Sequence, residues 1–316
     1  MAPWLKPAAR PTMYFIGVTT SRSSIMKVFP RWAAALGTEA VLEGIDLPIH
    51  ADPAQYREVV DFIKRDPLSL GALVTTHKID LLAAARPLFD ALCPYAQLLG
   101  EVSSLSKREG KLWGHAKDPI SSGLALEAFL PVGWWEQTGG HALCLGAGGS
   151  ALAISVYLTD PRHGPNRPAR LVVTNRSLPR LEQMRRIHAQ LGHGVPCEYH
   201  PCSTLTDNDR ALERLPPCAL VINATGLGKD RPGSPITDGA EFPRNGLAWD
   251  FNYRGDLRFL VQARRQQQAK CLVVEDGWVY FIHGWLQVIA EVLHVAIGPA
   301  EVARLSRIAE QARAEP

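Results

Sequence analysis

His141-Ala-Leu-Cys-Leu-Gly-Ala-Gly-Gly-Ser-Ala-Leu-Ala153 is an apolar run that breaks into Gly146-x-Gly148-x-x-Ala151. The pattern predicts a buried strand, a glycine turn and the start of a helix, which is the phosphate-binding end of a dinucleotide fold. Gly146 permits the tight turn, and Gly148 lets the backbone approach a pyrophosphate. Ala151 is small enough to pack the new helix on the strand. The turn from Gly146 and Ala147 into Gly149 and Ser150 offers free N–H groups and a helix dipole to the anion. Glycine turns between strand and helix also occur without any nucleotide, so the continuation of the chain carries the argument.

After a Pro-rich insertion, Arg170-Leu-Val-Val-Thr174 reads as a second buried strand, ending in Asn175-Arg176-Ser177-Leu-Pro-Arg180. An NAD enzyme places Asp or Glu at the end of this strand to hold the ribose hydroxyls. A carboxylate there would repel a 2′-phosphate, whereas guanidinium groups bind one bidentately. Arg176 and Arg180 also fit a bland reading, as solvated residues at a helix start. Cations at that end oppose the helix dipole, however, and want a reason. The sequence therefore favours NADP over NAD.

A chain of 316 residues points to two domains. Net charge is only +3, with 34 basic residues spread along the chain. That excludes nucleic acid as a main partner, which would call for a concentrated basic face. No window approaches a membrane span. Cys93, Cys144, Cys197, Cys202, Cys218 and Cys271 form no CxxC pair, and several lie in strand-like runs. They read as reduced core thiols of a cytoplasmic protein, with neither a disulfide framework nor a metal site.

Strand-like and amphipathic helical runs alternate almost throughout, predicting an α/β protein with parallel sheets. Residues 1–12 read as a disordered lead-in and residues 13–120 as a substrate domain. Residues 121–276 read as a doubly wound NADP domain of the Rossmann type, and 277–316 as C-terminal helices returning to the substrate domain. In the first domain, strands are expected at Met13 to Val18, Ala40 to Leu47 and Leu70 to Thr75. A hairpin is expected around Glu109-Gly110, and a helix from Ser121 to Phe129 links the domains. In the second, strands are expected near Ala142, Leu171, Ala219 and Leu247. The stretches Asp160–Ala169 and Asp207–Pro217, rich in Pro, Arg and Asp, read as surface loops.

Short polar clusters follow the strands of the first half, where α/β sheets place ligands: Gly17-Val-Thr-Thr-Ser21-Arg-Ser23, Val74-Thr75-Thr-His-Lys78, Gly100-Glu-Val-Ser103 and Gly114-His-Ala-Lys-Asp118. With the glycine turn, Asn175-Arg176, Asn223-Ala224-Thr225-Gly226, Asp250-Phe-Asn-Tyr253 and Asp276-Gly277, the chain resembles the shikimate dehydrogenase family over nearly its full length. The resemblance implies an NADP-dependent oxidoreductase acting on a small cyclic carboxylate, as monomer or homodimer. It assigns Lys78 and Asp118 as the catalytic pair and Ser21, Ser23, Thr75, Ser103 and Tyr253 to the substrate. Asn223 to Gly226 go to the nicotinamide side of the cofactor, and Gly277, opening the C-terminal helix, to the cofactor as well. Taken alone, Lys78 also reads as a solvated lysine at a helix start, Ser21 and Ser23 as helix-capping residues, and His77 as a packing residue or a competing acid–base group.

The departures bear on the substrate. Ser103 and Ala116 stand where the family has asparagines, and Gly284 stands where it has a C-terminal-helix glutamine. Gln287 lies about 60° off that face, counting 100° per residue. The carboxylate anchor and the Lys–Asp pair survive, while the groups that read ring hydroxyls are largely gone. Three readings follow: a dehydrogenase for a cyclic carboxylate other than shikimate, a genuine shikimate dehydrogenase with drifted contacts, and a non-catalytic NADP-binding sensor. Trp278 and Trp285 are candidates to floor a less polar pocket.

Overall fold

The structure, a computed structural model, describes residues 5–229 and 231–315. Contacts divide the chain into two units, Met1–Lys117 with Ile282–Pro316, and Asp118–Phe281.

The first unit opens on β1 (Thr12–Gly17), whose six residues are all buried, as expected for a strand covered on both faces. Then come α1 (Ile25–Ala35), β2 (Val41–Asp46), α2 (Pro53–Arg65), β3 (Ser69–Val74), α3 (Lys78–Ala85), β4 (Ala91–Leu92), α4 (Pro94–Leu99), β5 (Ser104–Arg108) and β6 (Lys111–His115). The sheet order is β2-β1-β3-β5-β6-β4. It is mixed and not parallel throughout, because β5 runs antiparallel to both β3 and β6. The β5–β6 hairpin turns on Glu109 and Gly110, with φ of +51° and +74°, as a type I′ turn requires. Part of the expected lead-in is ordered. Residues 1–4 lie outside the described residues, but Leu5 is buried and the Ala8 N–H donates to Asp66 at 2.7 Å.

The second unit begins with α5 (Asp118–Glu127), three residues earlier than the sequence pattern suggested. Asp118-Pro119 explains the shift, since Pro fits the first turn of a helix and an acidic residue suits its N-terminus. The chain continues through α6 (Trp134–Thr138), β7 (Ala142–Leu145), α7 (Gly149–Thr159), β8 (Leu171–Asn175), α8 (Leu178–Leu191), β9 (Cys197–Pro201), α9 (Leu205–Glu213), β10 (Leu220–Asn223), β11 (Leu247–Asp250), α10 (Arg258–Lys270) and β12 (Val273–Glu275). All strands are parallel in the order β12-β11-β10-β7-β8-β9, so the topology reverses between β7 and β10. Asp207–Pro217 is not the loop its composition suggested, because residues to Glu213 lie in α9. Thr204 and Asp207 form a capping box that starts this helix, and Leu212 is buried beneath it.

The last helices are α11 (Trp278–Leu293) and α12 (Pro299–Ala314). Within the first unit, Trp32 Nε1 donates to Leu305 O at 2.8 Å, and Trp285 meets Phe15 edge-on at 5.0 Å. Trp285 therefore belongs to the core of that unit. No helix among the described residues is long and apolar enough to cross a membrane.

Gly71 fixes the junction of the parallel and antiparallel halves of the first sheet. Its φ is +135°, and a Cβ there would stand 2.1 Å from Leu105 O. We expect Gly71→Ala to cost about 2 kcal/mol or more, combining left-handed strain with a backbone clash. A urea midpoint equal to that of the wild type would show that β3 and β5 separate without penalty.

Candidate active site

In the first unit, backbone hydrogen bonds gather the expected residues at one end of the sheet. Thr75 N donates to Ile16 O at 3.0 Å and Val74 N to Ser103 O at 2.9 Å. Val102 N donates to Lys78 O at 3.2 Å and Ser103 N to His115 O at 2.8 Å. Gly17, Thr75, Lys78, Ser103 and the residues leading to Asp118 thus share the edge beyond the carboxyl ends of β1 and β3, where α/β sheets bind ligands. The approach is tight, since a Cβ on Gly17 would lie 3.1 Å from Thr75 Oγ1.

Ser21 is exposed and Ser23 half-buried. Neither hydroxyl caps α1, whose N-cap is Ser24 without a side-chain bond. The turn carrying them is fixed by Thr20, whose N–H and hydroxyl donate to Asp46 Oδ1 at 2.8 and 2.6 Å. Lys78 is half-buried in the first turn of α3. His77 is packed into the core. It is 1% exposed, its Nδ1 lies 2.9 Å from Tyr56 Oη, and burial pushes its pKa down, so it packs as a neutral ring.

Ser103 is buried, and its hydroxyl already serves the backbone, accepting from Lys117 N at 2.8 Å. Lys117 and Glu291 were not singled out by sequence, yet they pair at 2.6 Å with side chains 15% and 19% exposed. His115 lies 3.3 Å from the same carboxylate, and burial holds its pKa at about 4. The pair joins positions 174 residues apart, so no local pattern announces it. On α11, a Cβ added to Gly284 would meet nothing within 4 Å, which leaves open space where a longer side chain would stand.

In the second unit, Asp118 is 8% exposed at the start of α5. Gly146 has φ +114°, and a Cβ there would lie 2.8 Å from Ala224 O, so glycine is required. Gly148 precedes α7 with no side-chain cap, leaving the N–H groups of the first turn for a ligand, and no acidic residue occupies that turn. Ser177 likewise leaves α8 uncapped. Arg176 and Arg180 are exposed and make no hydrogen bond or ion pair among the described residues. Tyr253 packs in an aromatic group with Trp278 at 5.4 Å and Phe281 at 4.9 Å. A Cβ on Gly277 would stand 2.1 Å from Phe251 O, so that glycine is held by close backbone packing.

No family model matches the chain. A shikimate dehydrogenase (NADP(+)) of Methylobacterium radiotolerans is 26% identical over 277 residues, covering 87% of this chain and 88% of that protein. Another, from Paramagnetospirillum magneticum, is 29% identical over 269 residues, 85% and 87% of the two chains. The structure of shikimate 5-dehydrogenase from Thermus thermophilus in complex with NADP(H) and shikimate matches at a TM-score of 0.68 and 25% identity. It covers 94% of this chain and 99% of that one. Over most of its length the chain is similar to shikimate dehydrogenases. Quinate dehydrogenase from Corynebacterium glutamicum in complex with NAD, 19% identical with a TM-score of 0.75, shares the fold.

In the second unit, a buried polar network sets the carboxyl ends of β10 and β11. Asn223 Nδ2 donates to Asp250 Oδ2 at 3.1 Å, and its Oδ1 accepts from Thr225 N and Oγ1 at 3.2 and 2.7 Å. Asn252 donates twice to Asp250 Oδ1, at 2.9 and 2.8 Å, and once to Leu227 O at 3.0 Å. Sequence reading singled out Asn223 but not this role of Asp250 and Asn252. The signal available was a polar Asp-x-Asn closing an apolar strand.

Burial raises the Asp250 pKa to about 7 against the pull of those donors. The folded protein therefore holds this proton over a pH range in which the unfolded chain has released it. Stability from this group falls as pH rises from about 4 to about 7. His115 and His188, held near 4 by burial, slope the other way. We therefore expect the stability of the wild type relative to Asp250→Asn to fall by about 2 kcal/mol from about pH 5 to about pH 7. Parallel urea curves at every pH would show that Asp250 does not titrate there.

Proposed function

We propose that this protein is an NADP-dependent dehydrogenase that moves a hydride between the cofactor and a ring CH–OH group of a cyclic carboxylate, one other than shikimate itself. The single observation that carries the cofactor half is the pair of uncapped helix starts in the second unit, one beside Gly148 and one beside the unpaired Arg176 and Arg180. The first fits a pyrophosphate, and the second fits a 2′-phosphate that two guanidinium groups can grip. Six unpaired cysteines suit a reducing, cytoplasmic setting.

NADP, when bound, supplies the hydride chemistry. The chain supplies orientation and the proton path. Ser21 and Ser23 offer free hydroxyls to a carboxylate, with Thr75 and Tyr253 as further contacts carried over from the family. Lys78 takes the hydroxyl proton as the carbinol carbon is oxidised and returns it in the reverse direction. Asp118 is its partner in that carry-over, offsetting the ammonium charge. A proton relay has no use in a sensor, so retention of both groups favours an enzyme.

The substrate half rests on Ser103, Ala116 and Gly284. The Ser103 hydroxyl is committed to Lys117 N, Ala116 has no polar atom, and Gly284 leaves open space. A ring hydroxyl there would lose its water without gaining a partner, which costs about 1–3 kcal/mol per group. The names of the relatives favour the alternative, shikimate itself.

Lys78→Ala should lower kcat by about 10²- to 10⁴-fold while leaving the NADP Kd unchanged. A variant keeping most of its kcat would move the proton relay elsewhere. Arg176→Ala should weaken NADP by about ten- to a hundredfold and NAD little, read by tryptophan fluorescence titration. Equal losses for the two cofactors would remove the 2′-phosphate assignment. Across shikimate, quinate and deoxygenated analogues, kcat/KM should be highest for a substrate other than shikimate, and Gly284→Gln should shift the ranking towards shikimate. Shikimate ranking first in the wild type would establish the alternative.

A further inference from the structure

On the far side of α8, three metal-ligating side chains converge that the dehydrogenase reading does not use. His188 lies in the last turn of α8, His193 follows in the loop, and Cys197 opens β9. One donor atom of each lies within 4.8 Å of the others. We propose that His188, His193 and Cys197 form a binding site for a thiophilic divalent cation of the zinc type.

The His193 Nε2 to Cys197 Sγ separation is 3.8 Å. Two ligands on a tetrahedral zinc, at about 2.0 Å for nitrogen and 2.3 Å for sulfur, stand about 3.6 Å apart. That edge of the polyhedron is already formed. His188 is oriented as a ligand should be. Ser155 Oγ donates to Leu152 O at 2.7 Å, so it accepts from His188 Nε2 at 2.8 Å. The proton therefore sits on Nε2, and Nδ1 keeps its lone pair. That lone pair now receives Tyr199 Oη at 2.7 Å. The loop is anchored independently, since Arg167 Nη1 donates to His193 O at 2.6 Å.

Two imidazoles and a thiol select zinc-like ions over magnesium or calcium, which want oxygen. Binding balances as follows. The Cys197 thiol, now donating to Val195 O at 3.4 Å, loses its proton to solvent. His193 Nδ1 now accepts from Val195 N at 3.1 Å; to free Nε2 for the ion the proton moves to Nδ1, and the Val195 hydrogen bond is given up for the bond to the metal. The Tyr199 hydroxyl turns from His188 Nδ1 and admits water to the fourth position. One proton leaves per ion bound. The ion would fasten the end of α8 to the edge strand β9, closing the helix whose first turn carries Arg180.

Cobalt is the probe, because thiolate coordination gives an intense near-ultraviolet charge-transfer band and tetrahedral geometry gives visible bands. One equivalent of Co²⁺ added to the full-length protein should produce both, and Zn²⁺ should displace them. The bands should vanish in Cys197→Ser and persist in Cys271→Ser, which removes the exposed thiol. Zn²⁺ should raise the thermal midpoint of the wild type and leave that of Cys197→Ser unmoved. Absence of the charge-transfer band in the folded wild type, or its survival in Cys197→Ser, overturns the proposal.

Discussion

The second unit depends on one buried carboxylate. Asp250 lies at the end of β11 with no exposed surface, and three N–H groups of Asn223 and Asn252 donate to it. Burying a charge is costly unless it is hydrogen-bonded on several sides. Here burial and the donors pull against each other, which leaves its pKa at about 7. The same two asparagines also donate to Leu227 O, at 3.3 and 3.0 Å. One carboxylate thus ties β10, β11 and the following loop together. The loop has little freedom left, because a Cβ on Gly255 would lie 2.0 Å from Gly228 O. The segment from Asn223 to Gly226 is held by polar bonds whose geometry is directional, and apolar packing alone could not fix it so closely.

Much of this fold was legible because parallel strands covered on both faces read as continuous apolar runs. β7, β8, β10 and β11 are of that kind, each buried over most of its length. The mixed character of the first sheet was not legible, since a period of two looks alike in parallel and antiparallel strands. Asp207–Pro217 shows the opposite failure. Its composition resembles a loop, but two residues, Thr204 and Asp207, satisfy the first N–H groups of a helix and decide the matter. Capping chemistry outweighed average polarity.

At the candidate site, sequence located the strand ends but not what their side chains do. His77 and Lys78 are neighbours, yet His77 bonds to Tyr56 in the core while Lys78 opens α3 beyond the carboxyl end of β3. Adjacent positions at a helix start point in directions differing by about 100°, so proximity in sequence does not imply a shared role. The cysteines were read through CxxC spacing, which is blind to His188-x4-His193-x3-Cys197. There the turn after α8 and the entry into β9, not a knuckle, bring the donors together.

The family departures are also coupled physically, and this gives them more weight than three separate losses. Where asparagine side chains would reach into the site, Ser103 and Ala116 withdraw, and Lys117 beside them extends to Glu291 on α11. Ser103 turns its hydroxyl to Lys117 N at 2.8 Å. The segment entering Asp118 is therefore held by bonds within the first unit, from Lys117 to Ser103 and Glu291, with His115 beside the same carboxylate. Bonds that are closed before a ligand arrives need no reordering when it binds, which lowers the entropic cost of association. On the same helix as Glu291, Gly284 leaves open space where a longer side chain would stand.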